Sequence, residues 1–171
     1  MCHQVALTTS VAYSFDFKVY RFRIVQVSST NSTIIMSHPE PSQPVQSIKA
    51  SDVQTSGAQT DGMIRSDAIV DKCDGICATS MLAKPHTASA VHHHGEQDTI
   101  VYAVKGRGTV VSEGGTMRVD LEPGDFALIP AYMEHQEVND SDEDIIWTIV
   151  RSGRIPDVVN LTGWNGEPVK G

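Results

Sequence analysis

Cysteine is scarce and odd in number: Cys2, Cys73 and Cys77 are the only three in 171 residues, with no C-x-x-C pair. That count supports neither a disulfide framework nor a structural zinc knuckle, and a reducing, cytoplasmic setting is expected. Long apolar runs are missing too. Stretches such as residues 145–150 fall far short of the roughly 20 residues needed to cross a bilayer, so no membrane partner is expected. Basic residues are too few for a polyanion-binding surface: 13 Lys and Arg face 21 Asp and Glu, a formal charge of −8. Such a chain repels nucleic acid. No segment sustains helical periodicity, and no phosphate loop, dinucleotide glycine fingerprint or serine-hydrolase elbow is present.

What remains is unevenly distributed. The first 35 residues hold five of the ten aromatics and are locally basic, which weakly resembles an organellar transit segment, while residues 37–62 carry Pro39, Pro41 and Pro44 and no aromatic. That second tract buries too little surface to offset its ordering entropy and reads as a disordered linker. Met36, which precedes it, reads equally well as an alternative start, with residues 1–35 a mis-called extension. The expected organisation is an N-terminal extension and linker over 1–62, a globular domain over 63–161 and a tail over 162–171. Within the domain, short runs of β-formers at 75–83, 99–105, 107–112, 116–121, 125–129 and 144–151 are separated by Gly, Pro and Asp. Short strands at this spacing in about 100 residues imply an all-β sandwich or barrel.

Chemistry concentrates in histidine. Five of the seven lie between His86 and His135, and His92, His93 and His94 are consecutive. Alternate side chains of a strand share a face, so His92 and His94 point together while His93 faces away. His135 follows a turn signal and a strand, where an antiparallel partner can bring it beside the first two. Three neutral imidazoles suit iron, nickel, copper, zinc or manganese and leave positions open for a small molecule.

These residues resemble the two motifs of the cupin superfamily, G-x5-H-x-H-x3-4-E-x6-G and G-x5-P-x-G-x2-H-x3-N. His92, His94 and Gly106 fall in the first; Gly124, Pro130, His135 and Asn139 fit the second. His86 and Tyr132 stand where each motif has a glycine, and the glutamate position counts to Asp98 or Thr99. The run from His92 to Thr99 is similar to the H-H-H-G-[DE]-x-[DE]-T of small single-domain RmlC-like cupins. The resemblance implies a single jelly-roll β-barrel, one divalent transition metal on His92, His94 and His135, and a homodimer paired through edge strands. For the fourth ligand the order is Gln97, then Asp98, then none. Glu137, two residues beyond His135, is expected on the same face as a partner of the ligands.

Tyr102, Phe126 and Trp147 sit in strand runs and read first as packing residues, second as pocket walls. Arg107 and Arg151 read first as solvated or paired strand-end residues and second as binders of an anionic substrate. The expected function is a metal-dependent enzyme on a small organic molecule, dioxygenase-like. A redox-neutral isomerase, lyase or decarboxylase and a non-catalytic binding module are the alternatives.

Overall fold

The computed structural model describes residues 43–170. From Ser47 onward the chain forms one compact unit; the expectations for residues 1–42 lie outside the described residues.

Alternation dictates the strands. In Ile76–Ala83 every second side chain, Cys77, Thr79, Met81 and Ala83, is buried, and in Ile145–Ser152 the buried set is Ile145, Trp147, Ile149 and Arg151. The two segments pair antiparallel in register, with Trp147 opposite Met81 and Arg151 opposite Cys77, so their buried faces coincide. Among the described residues there are twelve strands: β1 (Gln54–Thr60), β2 (Met63–Ile69), β3 (Ile76–Ala83), β4 (Thr87–Ala88), β5 (His92–His93), β6 (Thr99–Lys105), β7 (Gly108–Ser112), β8 (Met117–Leu121), β9 (Phe126–Ile129), β10 (His135–Asn139), β11 (Ile145–Ser152) and β12 (Val159–Asn160). They make two antiparallel sheets, ordered β1-β2-β3-β11-β6-β9 and β12-β5-β10-β7-β8, with β4 added on β10. The expected all-β jelly-roll barrel is the observed fold.

The core lies between the sheets and includes Met63, Met81, Val101, Ala103, Val110, Leu121, Ile129, Ile145, Trp147 and Ile149. Each of the larger side chains contributes about 1.5–3 kcal/mol by leaving water. Gly108 lets the sheets close on Trp147, because a Cβ there would stand 2.3 Å from the indole Cζ2.

Two boundaries differ from expectation. The polar segment 54–60, read as linker, is the edge strand β1 paired to β2; main-chain hydrogen bonds can hold an edge strand that has few apolar side chains. Residues beyond 161 do not trail off: Leu161 bridges Pro168, and the Val169 N–H donates to the Asn160 carbonyl. The acid-rich stretch 134–144 contains β10. Its exposed end is pinned by Asn139, whose Nδ2 lies within 3.0 Å of the carbonyls of Ala83, Lys84 and Glu143.

Candidate metal centre

β5 and β10 are neighbours with His92 opposite His135. This register, with His94 the residue directly after β5, brings three imidazoles together, with ring centroids 4.2–5.1 Å apart. Their hydrogen bonds fix which nitrogen faces the centre. His92 Nδ1 lies 2.9 Å from the Ala90 carbonyl and His135 Nδ1 lies 2.8 Å from the Met133 carbonyl. A carbonyl only accepts, so both Nδ1 atoms carry the proton and both Nε2 atoms present a lone pair. For His94 the same tautomer follows from the other side. Arg151 can only donate, and its Nη2 is 3.1 Å from His94 Nε2, so the His94 Nδ1–H donates to Thr99 Oγ1 at 2.7 Å. Thr99, at one count of the motif's glutamate position, thus orients a histidine.

The fourth member is Glu137. It shares the inward face of β10 with His135, and its carboxylate oxygens lie 3.7 Å from His92 Nε2 and 3.7 Å from His135 Nε2. One ligating atom from each of His92, His94, His135 and Glu137 falls within 4.8 Å of the others, and all four residues are buried. Two buried guanidinium groups flank them: Arg65 from β2, with Nη2 3.8 Å from Glu137, and Arg151 from β11. Burial, only partly offset by Glu137, lowers the pKa of His92 to about 4, and burial with Arg151 pushes His94 lower still. Both imidazoles are therefore neutral near pH 7. Burial alone would raise Glu137, but His92, His135 and Arg65 overcome it and hold the carboxyl well below its usual range.

A divalent transition metal fits these donors. His92 Nε2, His135 Nε2 and both Glu137 oxygens are buried with no hydrogen-bond partner, and each such orphan costs about 1–3 kcal/mol unless something satisfies it. Four orphans converging from two imidazole rings and a carboxylate, with His94 beside them, form a donor set of the kind that holds Fe, Ni, Mn, Cu or Zn.

The other expected residues are placed elsewhere. Gln97 spends its amide on the backbone of the 152–157 segment, donating to the carbonyls of Ser152 and Ile155 and accepting from Asp157 N–H; the oxygen-bearing side chain grouped with the three histidines is Glu137. Asp98 accepts from Ala131 N–H. Trp147 is fully buried in the core, whereas Tyr102 and Phe126 stack at 4.6 Å on the outer face of the first sheet and line no cavity by the histidines. Arg107 is an exposed partner of Glu122. His93 turns away and accepts from Gly95 N–H. Arg151 is not a solvated strand end; its parity with Ile145, Trp147 and Ile149 was the signal. Arg65 escaped sequence reading because its strand begins right after the segment read as linker.

A cavity of about 120 Å³ touches the centre at His135, which lies in its wall beside Val110, Ser112, Val119, Ala127, Ile129 and Met133. It opens between β8 and β9, the outermost strands on one side of the two sheets.

Comparison with known proteins agrees with this geometry. Residues 80–151 match the cupin domain family. A 64-residue stretch is 36% identical to glucose-6-phosphate isomerase of Thermococcus onnurineus, covering 34% of each protein. A 66-residue stretch is 35% identical to gentisate 1,2 dioxygenase 1 of Aquipseudomonas alcaligenes, covering 39% of this chain and 18% of that one. These matches span about a third or less of either relative's length. The polyketide cyclase RemF from Streptomyces resistomycificus has a similar fold, with a TM-score of 0.58 at 19% identity over 68% of this chain and 85% of that chain.

Proposed function

We propose that the protein is a metal-dependent enzyme acting on a small organic molecule, with one divalent transition metal held by His92, His94, His135 and Glu137. The observation that carries this reading is the convergence of four buried donors, with no hydrogen-bond partner at His92 Nε2, His135 Nε2 and the Glu137 oxygens, beside a cavity that has His135 in its wall. Bound there, a redox-active ion would supply O2 activation, and any divalent ion would supply Lewis acidity. The chain's own residues do the rest. Ala90, Met133 and Thr99 hold the three tautomers, Arg65 holds Glu137, and the apolar walls of the cavity exclude water.

The first reaction class is oxygenation, supported by the nitrogen-rich donor set and by the local likeness to a dioxygenase. It is tested on iron-loaded protein with an oxygen electrode across phenolic and enolic compounds. Substrate-dependent O2 uptake that disappears in His135→Ala is expected. Conversion of the same compounds without oxygen, by zinc-loaded protein, would replace this class with a redox-neutral isomerase or lyase. That second reading is supported by the local likeness to a glucose-6-phosphate isomerase, and it needs only the Lewis acidity of a divalent ion. Ligand binding with no turnover under either condition would make the protein a binding module.

The same reading carries a homodimer. Ile100, Val104, Phe126 and Leu128 are exposed on the outer face of the first sheet, beside Tyr102, Thr148 and Val150. In a chain of net charge −8, these uncharged side chains offer a surface where two copies can meet without repulsion. Light scattering after size exclusion should give twice the chain mass, and Phe126→Asp should give the chain mass.

A further inference from the structure

The charges inside the barrel do not balance. Glu137 is the carboxylate of the centre and it is already matched by Arg65, at 3.8 Å. Arg151, only 1% exposed, has no carboxylate within 4 Å among the described residues; its Nε has no hydrogen-bond partner, and its Nη2 rests on the His94 lone pair. A guanidinium stays protonated at neutral pH, so Arg151 is a cation there. A buried cation without a counter-charge is costly, and a divalent ion added beside it makes the excess larger.

That lone pair has two claimants. His94 Nε2 cannot both accept from Arg151 and ligate a metal, because its Nδ1 position already carries the proton given to Thr99. An ion that takes His94 therefore releases the guanidinium, whose fork of N–H groups is then buried, charged and in need of an acceptor. The cavity wall near the centre offers little of that kind: Ser112 and His135 are polar there, and the rest, from Val110 to Met133, is largely apolar.

We infer that the site takes a small organic anion, a carboxylate or enolate on a short apolar skeleton, and that Arg151 is the residue that binds its charge. The inference rests on the metal reading above for the release of Arg151, and extends it to the class of substrate. The apolar part of the ligand lies in the cavity between β8 and β9, and the anion meets the guanidinium and completes the charge balance. This assigns Arg151 a recognition role distinct from the roles of the four donors.

Calorimetric titration with butyrate, and with butyramide as its neutral counterpart, tests the assignment on zinc-loaded protein whose metal content is measured in the same samples. Wild-type protein should bind butyrate at least tenfold more tightly than butyramide. Arg151→Gln should keep about one zinc per chain and lose at least tenfold in butyrate affinity, with butyramide unchanged. Arg151→Lys, which keeps the charge and loses the fork, should fall between the two, and it carries the test if Arg151→Gln does not fold. Butyrate binding by a folded, zinc-loaded Arg151 variant within twofold of wild type overturns the inference, as does wild-type binding of butyrate no tighter than of butyramide. If wild-type protein takes up no zinc, the metal reading fails on its own, and the titration is read on metal-free protein. Arg151-dependent binding of butyrate there still upholds the anion site, and its absence removes it.

Discussion

The two ends of the barrel are built from the same strands and obey different rules. Along β11 the inward residues run Ile145, Trp147, Ile149 and then Arg151; along β7 they run from Gly108, against Trp147, to Ser112, opposite His135. The first end is held by apolar packing, where each side chain gains on its own by leaving water. The second end buries three imidazoles, one carboxylate and two guanidinium groups. None of these gains alone, and each is tolerable only beside the others. One end therefore degrades gradually when residues are changed, and the other loses its function at a single position.

The largest effect separates the ends directly. His135→Ala should reduce metal content, measured by elemental mass spectrometry on untagged protein, from about one ion per chain to a background level, with the far-ultraviolet circular dichroism retained. Trp147→Ala should do the opposite. It removes the largest core side chain and should cost about 3–5 kcal/mol in urea unfolding, while the protein that remains folded still binds one ion.

Acid acts on the polar end. For His92 the unfolded pKa of 6.5 exceeds the folded value of about 4, so between these values the unfolded chain binds more protons and stability falls as the pH drops. The loss should reach about 3 kcal/mol in the metal-free protein. His94 acts in the same direction, and Glu137, held low in the fold, adds to the loss as pH falls through its own depressed pKa. Urea midpoints at pH 7 and pH 4.5 should show the slope, and His92→Gln should flatten it.

The smallest effect concerns the loops that lead into the site. Tyr132 and His86 stand at the glycine positions of the two motifs and keep a left-handed backbone, with φ of 60° and 56°. Tyr132→Gly should raise stability by about 1 kcal/mol and leave metal uptake unchanged, which urea midpoints and metal analysis would check together.

The apolar end was legible in the sequence because alternation of apolar residues reports burial directly, as in 145–151. The three histidines were legible because their spacing carries strand parity and a motif. Glu137 was visible only as a residue on the right face, since parity gives a direction and not a distance. Gln97 misled for a related reason: it sits near the motif's glutamate position, but its amide finds the carbonyls of Ser152 and Ile155, partners some 55 residues away that no local pattern announces. Arg65 and Arg151 were harder, because a charged residue in a strand is ordinarily exposed. Their burial follows from the other strands that bring Glu137 and His94 to them.

The locks on the three imidazoles are not alike. His92 and His135 lean on carbonyls, which can receive a proton bond and never return one, so their orientation is one-way. His94 leans on the hydroxyl of Thr99, and a hydroxyl can rotate to give as well as receive. Once Arg151 lets go of it, His94 is the one ring of the three with a reversible latch. Exchange in the centre should begin at that ring, with the other two serving as its fixed jaws.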